Sequence, residues 1–143
     1  MNGETDMSPR KADVLVSEVG PRDGLQSIRS IMPTAAKKAW IDAEAAAGVT
    51  EIEVGSFVPA NLLPQLADTA EIVAYARTIP GLTVAVLVPN AKGAEAALKA
   101  GAHKLTLPLS VSETHSLANL RRPHAQGLAE AEAIADMVRR AEA

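Results

Sequence analysis

Four short apolar runs, each followed by a longer amphipathic stretch, leave this chain few folds to choose from. The runs at 14–19, 50–54, 83–88 and 104–109 are too short for buried helices and read as buried strands. Thr34 is placed to cap a helix over 34–47, with Gly48 as its stop. On that helix Ala36, Trp40, Ala43 and Ala47 form the expected core face, with Lys37, Lys38, Asp42 and Glu44 largely off it. Asp68 followed by Glu71 has capping-box form and opens a helix to about Thr78. A third helix ends at Ala100 before Gly101, and a polar loop over 110–123 precedes a last helix over 125–141. Strand and helix thus alternate four times, and right-handed crossovers turn such an order into a parallel sheet covered by helices. A doubly wound open sheet and half of a (β/α)8 barrel both satisfy it. A half barrel leaves both of its end strands as open edges.

The core must come from Val, Leu, Ile and alanine packing, because Phe, Tyr and Trp occur once each. A formal net charge of -3 gives no footprint for nucleic acid or an anionic membrane. Without cysteine there is no disulfide framework, thiolate metal site or cysteine nucleophile. No apolar run reaches the roughly 18 residues of a membrane span. Residues 1–12 are polar, with no signal-peptide core, and read as a flexible leader on a cytoplasmic protein whose partial barrel occupies 13–143.

Chemistry is expected where the first strand ends, at Glu18-Val19-Gly20-Pro21-Arg22-Asp23-Gly24-Leu25-Gln26. In α/β proteins ligands bind beyond the carboxyl ends of the strands. Arg22 and Asp23 offer a fixed cation and a hard oxygen ligand there, beside glycines that permit close backbone approach. Taken alone, Asp23-Gly24 is also an ordinary turn sequence. In the second strand, alternation puts Glu51, Glu53 and Gly55 on one face and Ile52, Val54 and Ser56 on the other. A glutamate inside a barrel strand needs a partner, and Arg22 is the obvious one for Glu53; Glu51 is expected at a solvated barrel bottom. Glu18 reads either as an orienter of Arg22 or Asp23 or as a buried carboxylate without a functional part. His103, His115 and His124 lack the spacing that places two imidazoles on one metal. Arg121-Arg122 reads as a solvated pair, with the phosphates of a large cofactor tail as its alternative contact.

The stretch from Glu18 to Gln26 resembles the first-strand signature of 3-hydroxy-3-methylglutaryl-CoA lyase, a metal-dependent (β/α)8 enzyme of the DRE-TIM metallolyase group. Ile52-Glu53-Val54-Gly55-Ser56-Phe57-Val58, Val86-Leu87-Val88-Pro89-Asn90 with Lys92-Gly93, and Ser110-Val111-Ser112-Glu113-Thr114 with Asn119 match in the same order. The Gly-Pro before Arg22 and the Ser-Phe-Val segment favour the lyases over isopropylmalate and citramalate synthases. The resemblance implies an α/β fold of four consecutive βα units, the first half of a (β/α)8 TIM barrel. It implies cleavage of an acyl-CoA substrate, hydroxymethylglutaryl-CoA, to acetyl-CoA and acetoacetate, the chemistry of leucine degradation and ketone-body formation. A divalent cation, Mg2+ or Mn2+, would take part.

In that reading Asp23 is a metal ligand, and Arg22 stabilises the thioester enolate. Glu53 orients Arg22, Gln26 and Ser56 lie near substrate, and Glu18 supports the site from behind. The family's further ligands, a His-x-His pair and an asparagine, and its cysteine-bearing loop belong to later strands. This sequence contains neither a His-x-His nor a cysteine, His115 stands where the family tends to carry an aromatic, and Pro108 interrupts the fourth strand. The 143-residue chain is therefore expected to bind metal weakly and not to turn over substrate by itself. Its open edges are expected to be covered by another copy in a homo-oligomer or by the C-terminal half of the barrel.

Overall fold

A computed structural model describes residues 14–142; the leader expected over 1–12 lies outside them. The described chain carries a four-stranded parallel sheet in the order β1 (Ser17–Glu18), β2 (Glu51–Ser56), β3 (Thr83–Leu87) and β4 (Lys104–Thr106). Helices α1 (Thr34–Ala46), α2 (Thr69–Ala76) and α3 (Ala91–Ala100) form the crossovers. Sequential order in a parallel sheet, with a helix after each strand, is the first half of a (β/α)8 barrel. After β4 come α4 (Glu113–Leu120) and α5 (His124–Glu142).

The core lies between the sheet and its helices. Ile52, Val54, Val84, Val86 and Val88 from the strands pack against Ile41, Ile72, Val73, Ala76, Ala94, Ala97 and Ile134. The opposite face of the sheet, which would line a barrel, carries ion pairs instead. Glu51 and Glu53 are both buried on it, and Lys104 reaches across from β4 to Glu51 at 2.7 Å.

Several local expectations change. The first strand is only two residues long, and Val14, Leu15 and Val16 before it are 60–74% exposed rather than buried. Among the described residues β1 hydrogen-bonds to β2 alone, so that run lies along an open edge. β4 stops at Thr106, two residues before Pro108, which has no N–H to extend a ladder. β2 runs on to Ser56 because Gly55 and Ser56 still pair with Val86 and Leu87. The polar loop holds an unforeseen helix, α4, whose N-cap Ser112 accepts from the His115 N–H.

The buried stripe of α1 also differs from the expected one. Ala36, Ala43 and Ala47 are exposed, while Lys37 and Ile41 face inward. Lys37 is 2% exposed and donates from Nζ to Gln65 O and Asp68 Oδ1, both at 2.6 Å. Asp68 is therefore occupied by α1, with Thr34 donating to its Oδ2, and makes no side-chain cap on α2. Gly48 and Gly101 close their helices at φ +96° and +86°, where L-residues with a side chain are strained.

Candidate active site at the carboxyl end of β1 and β2

Directly after β1 the chain closes one wide helical turn, Gly20–Gly24, with Pro21 buried at its start. The Arg22 and Asp23 N–H groups both donate to Val19 O, at 3.1 and 2.7 Å. This turn points Arg22 across the sheet. Its Nε donates to Glu53 Oε2 at 2.6 Å, and its Nη1 donates to Asp23 Oδ1 at 2.8 Å. Glu53 is buried and Arg22 partly buried, with side chains 4% and 14% exposed, whereas the Asp23 side chain is 57% exposed. The site is thus a guanidinium fixed from below by a buried carboxylate and bordered on its open side by a second one. Charge-assisted bonds of this kind, sheltered from water, hold a planar cation in one orientation.

The structure places the other candidates individually. Gln26 is half-buried in the same loop. Glu18 takes the Gly20 N–H on Oε1 at 2.6 Å, and among the described residues no hydrogen bond joins it to Arg22 or Asp23. Behind it stand Trp40 and Glu44 of α1. Burial, with the neighbouring Glu18 carboxylate adding to it, pushes the Glu44 carboxyl up. Glu51 is not at a solvated bottom but 3% exposed and paired with Lys104.

Ser56 shows what strand alternation missed. The β2–β3 register shifts between Glu53 and Gly55, so Gly55 pairs with the core residue Val86 and Ser56 pairs with Leu87. A β-bulge moves every later side chain to the other face. Gly55 consequently faces α2, where a Cβ would lie 2.4 Å from Thr69 Oγ1. Ser56 turns to the face that carries Glu53. Its N–H donates to Thr69 Oγ1 at 3.1 Å, and its Oγ accepts from the Val58 N–H at 3.2 Å.

The histidines stay apart. His103 Nδ1 accepts from the Val84 N–H at 3.1 Å, His115 is exposed on α4, and His124 Nδ1 lies 3.0 Å from Glu113 Oε2. Arg122 is not solvated but 8% exposed. No group of three His, Cys, Asp or Glu side chains among the described residues is arranged to hold a metal ion. Asp23 is one hard oxygen donor, already bonded to Arg22, and a Mg2+ or Mn2+ ion demands several oxygen or nitrogen ligands. These residues alone do not fit a divalent cation.

An apolar groove of about 270 Å3 opens beside Phe57, Pro59, Pro89, Asn90 and Lys92, between the loops that follow β2 and β3 and the start of α3. A larger hollow of about 400 Å3, lined by Asp42, Val49 and Ile79–Leu82, sits at the opposite end of the sheet and touches none of the site residues.

Lys104 makes Glu51 sensitive to pH in a defined direction. Its hydrogen bond holds the Glu51 carboxyl below the usual range. A carboxyl lowered by folding stabilises the fold above its unfolded pKa, and that contribution is lost as pH falls through the folded value. Lys104→Met is expected to cost about 1–2 kcal/mol at neutral pH, the penalty of an unsatisfied buried acceptor reduced because Lys104 is half-exposed, and progressively less in acid. Urea unfolding at neutral and acidic pH checks it; equal losses at both would show that the ion pair is not the cause.

Fold and site together define the class, a (β/α)-barrel protein whose first-strand mouth presents a partly buried arginine held by a buried carboxylate. The HMGL-like family model matches residues 13–143, and the chain belongs to this family. It is 45% identical over 112 residues to the 3-hydroxy-3-isohexenylglutaryl-CoA/hydroxymethylglutaryl-CoA lyase of Pseudomonas aeruginosa, covering 78% of this chain and 37% of that one. It is 41% identical over 107 residues to the mitochondrial hydroxymethylglutaryl-CoA lyase of Arabidopsis thaliana, covering 75% of this chain and 23% of that one. Its structure matches an Acinetobacter baumannii HMG-CoA lyase in complex with coenzyme A and 3-methylmalate, with TM-score 0.80 and 39% identity over 87% of this chain and 41% of the other. The chain thus spans from under a quarter to about two-fifths of the length of these relatives. Among the described residues no helix is long and apolar enough to cross a membrane.

Proposed function

We propose that this chain supplies the enolate-stabilising half of a carbon–carbon lyase acting on hydroxymethylglutaryl-CoA. The observation that carries the reading is the Arg22–Glu53 contact at 2.6 Å, held at the carboxyl end of the sheet beside Asp23. In the reaction the substrate's tertiary hydroxyl loses its proton and the carbon–carbon bond breaks. The bonding pair then passes into the thioester as an enolate. Acetoacetate leaves, and protonation of the enolate carbon gives acetyl-CoA. Negative charge develops on the thioester oxygen, and a positioned guanidinium there is worth several kcal/mol of barrier. Glu53 holds Arg22 through Nε and Asp23 takes Nη1, so Nη2 is the donor left to face that oxygen. Gln26 and Ser56 line the same mouth, with the groove at Phe57 and Pro89 as the seat of the coenzyme A arm. Glu18 supports the turn from Gly20. Asp23 would offer one oxygen to a divalent cation, Mg2+ or Mn2+, were further ligands supplied from outside this chain.

The open edges support a second element of the proposal, that the chain works covered. Val14, Leu15 and Val16 along β1 and Leu109 and Val111 beyond β4 are 51–99% exposed. Such edges are managed by pairing, here with a second copy or with the later strands of the barrel.

The test measures acetoacetate from hydroxymethylglutaryl-CoA with Mn2+, using the chain alone and the chain assembled with the later strands of the Pseudomonas aeruginosa relative. Acetoacetate only from the assembly is the expected result. Ordinary lyase rates from the chain alone would overturn the incomplete-site reading. An assembled particle that instead condenses acetyl-CoA with 2-oxo acids would replace the lyase by a synthase.

A further inference from the structure

Arg122 is a buried charge that the proposed chemistry does not use. It follows Arg121, whose φ of +54° turns the chain at the end of α4, and its own carbonyl accepts from Ser116 Oγ at 2.7 Å. The guanidinium crosses from the α4–α5 junction to the loop after β3. There Nη2 donates to Pro89 O, and Nη1 lies 3.8 Å from Glu130 Oε2. The other Glu130 oxygen accepts from the Ala91 N–H. One pair thus satisfies the carbonyl before Asn90 and the amide after it, while the Asn90 side chain caps α3 by accepting from the Gly93 N–H at 3.0 Å. Pro89 and Asn90 are walls of the apolar groove beside Phe57. Gly93 packs so tightly beneath Pro89 that a Cβ would lie 2.8 Å from Pro89 Cδ.

We propose that Arg122 and Glu130 clamp the Pro89–Asn90–Ala91 backbone from both sides and so position the groove that receives the coenzyme A arm. The inference rests on the acyl-CoA reading above. Stability alone does not explain the arrangement. A buried ion pair is often replaced by apolar side chains at no loss of stability, and the Arg122 Nε–H is buried without a hydrogen-bond partner among the described residues. What an apolar side chain cannot do is hold a carbonyl and, through Glu130, an amide on either side of one residue. Arg122 is in this sense a positioning residue, acting through Pro89 and Asn90.

The experiment titrates the chain, assembled with the later strands of the Pseudomonas aeruginosa relative, with free coenzyme A by calorimetry and records melting temperature and amide exchange at Ala91. Arg122→Met is expected to leave the melting temperature within a few degrees, to weaken coenzyme A binding about tenfold and to speed Ala91 exchange. Arg122→Lys keeps the charge but not the fork, and should fall between. Glu130 is partly exposed, so Glu130→Gln is the variant certain to test the clamp if Arg122→Met does not fold; it should show the same pattern. Unchanged affinity in variants that fold overturns the proposal, as does an affinity loss that only tracks melting temperature across the three. An unaltered assembly that does not bind coenzyme A overturns the acyl-CoA reading itself, and the clamp's part in binding with it.

Discussion

Arg22→Met is expected to destabilise the chain by about 3–5 kcal/mol, the usual cost of leaving one partner of a buried ion pair uncompensated. Glu53 would keep its place in the middle of β2, 3% exposed, and lose the Nε–H it now accepts at 2.6 Å. Arg22→Met combined with Glu53→Leu should recover most of that loss, because two apolar side chains leave no stranded charge. Denaturant unfolding of the two single variants and the double measures the coupling directly. A coupling near zero would mean that the contact orients nothing and holds nothing. Arg22→Lys separates the structural part from the chemical one. It retains a charge for Glu53 but not the planar fork, and turnover in the assembled barrel should drop about 10²–10³-fold while the fold survives.

Gly55→Ala is expected to cost about 2–4 kcal/mol, at or above the upper end of ordinary overpacking. The new methyl would lie 2.4 Å from Thr69 Oγ1, 2.7 Å from its Cγ2 and 3.0 Å from its Cβ, so a rotamer change cannot relieve it. Thr69 is itself pinned, donating to Leu66 O at 2.7 Å and accepting from the Ser56 N–H. Moving α2 outward would break both bonds and unseat the end of β2. Adding Thr69→Ala removes the two nearest obstructing atoms, Oγ1 and Cγ2, and should restore part of the loss despite deleting two hydrogen bonds. If Gly55→Ala unfolds at the same denaturant concentration as the unaltered chain, the close approach of β2 and α2 is wrong, and with it the bulge that turns Ser56 toward Glu53.

The pairing of Arg22 with Glu53 was legible in the sequence because each half of it is a local anomaly. An acid in an apolar strand must find a base, and a strand ending at Gly20-Pro21 must release its next side chains at the sheet's mouth. Glu51 broke the same rule, yet its partner Lys104 lies 53 residues away on β4, and the sequence held no sign that the two strands' side chains would meet. Lys37 departs from the helical pattern for a related reason. Helical periodicity assigns a lysine to the outside, but its long apolar stem can be buried when a carbonyl and a carboxylate wait at the far end. Here Gln65 and Asp68 do. The α4 helix carries little sequence signal because its apolar content is slight, and the Ser112 cap before Glu113 is its mark in the sequence.

The sequence by itself determined the repeated strand–helix order, the family, and the cation and carboxylates gathered where the first two strands end. These follow from periodicity, glycine and proline placement, and the cost of burying a charge alone, all of which act over a few residues. Only the tertiary structure decided that β2 bulges at Val54 and turns Ser56 to the site, that Lys37 goes inward, and that Arg122 reaches the loop after β3. Each of these is settled by where a distant backbone offers an acceptor or a neighbouring strand offers a register, and no pattern within a single segment carries that information.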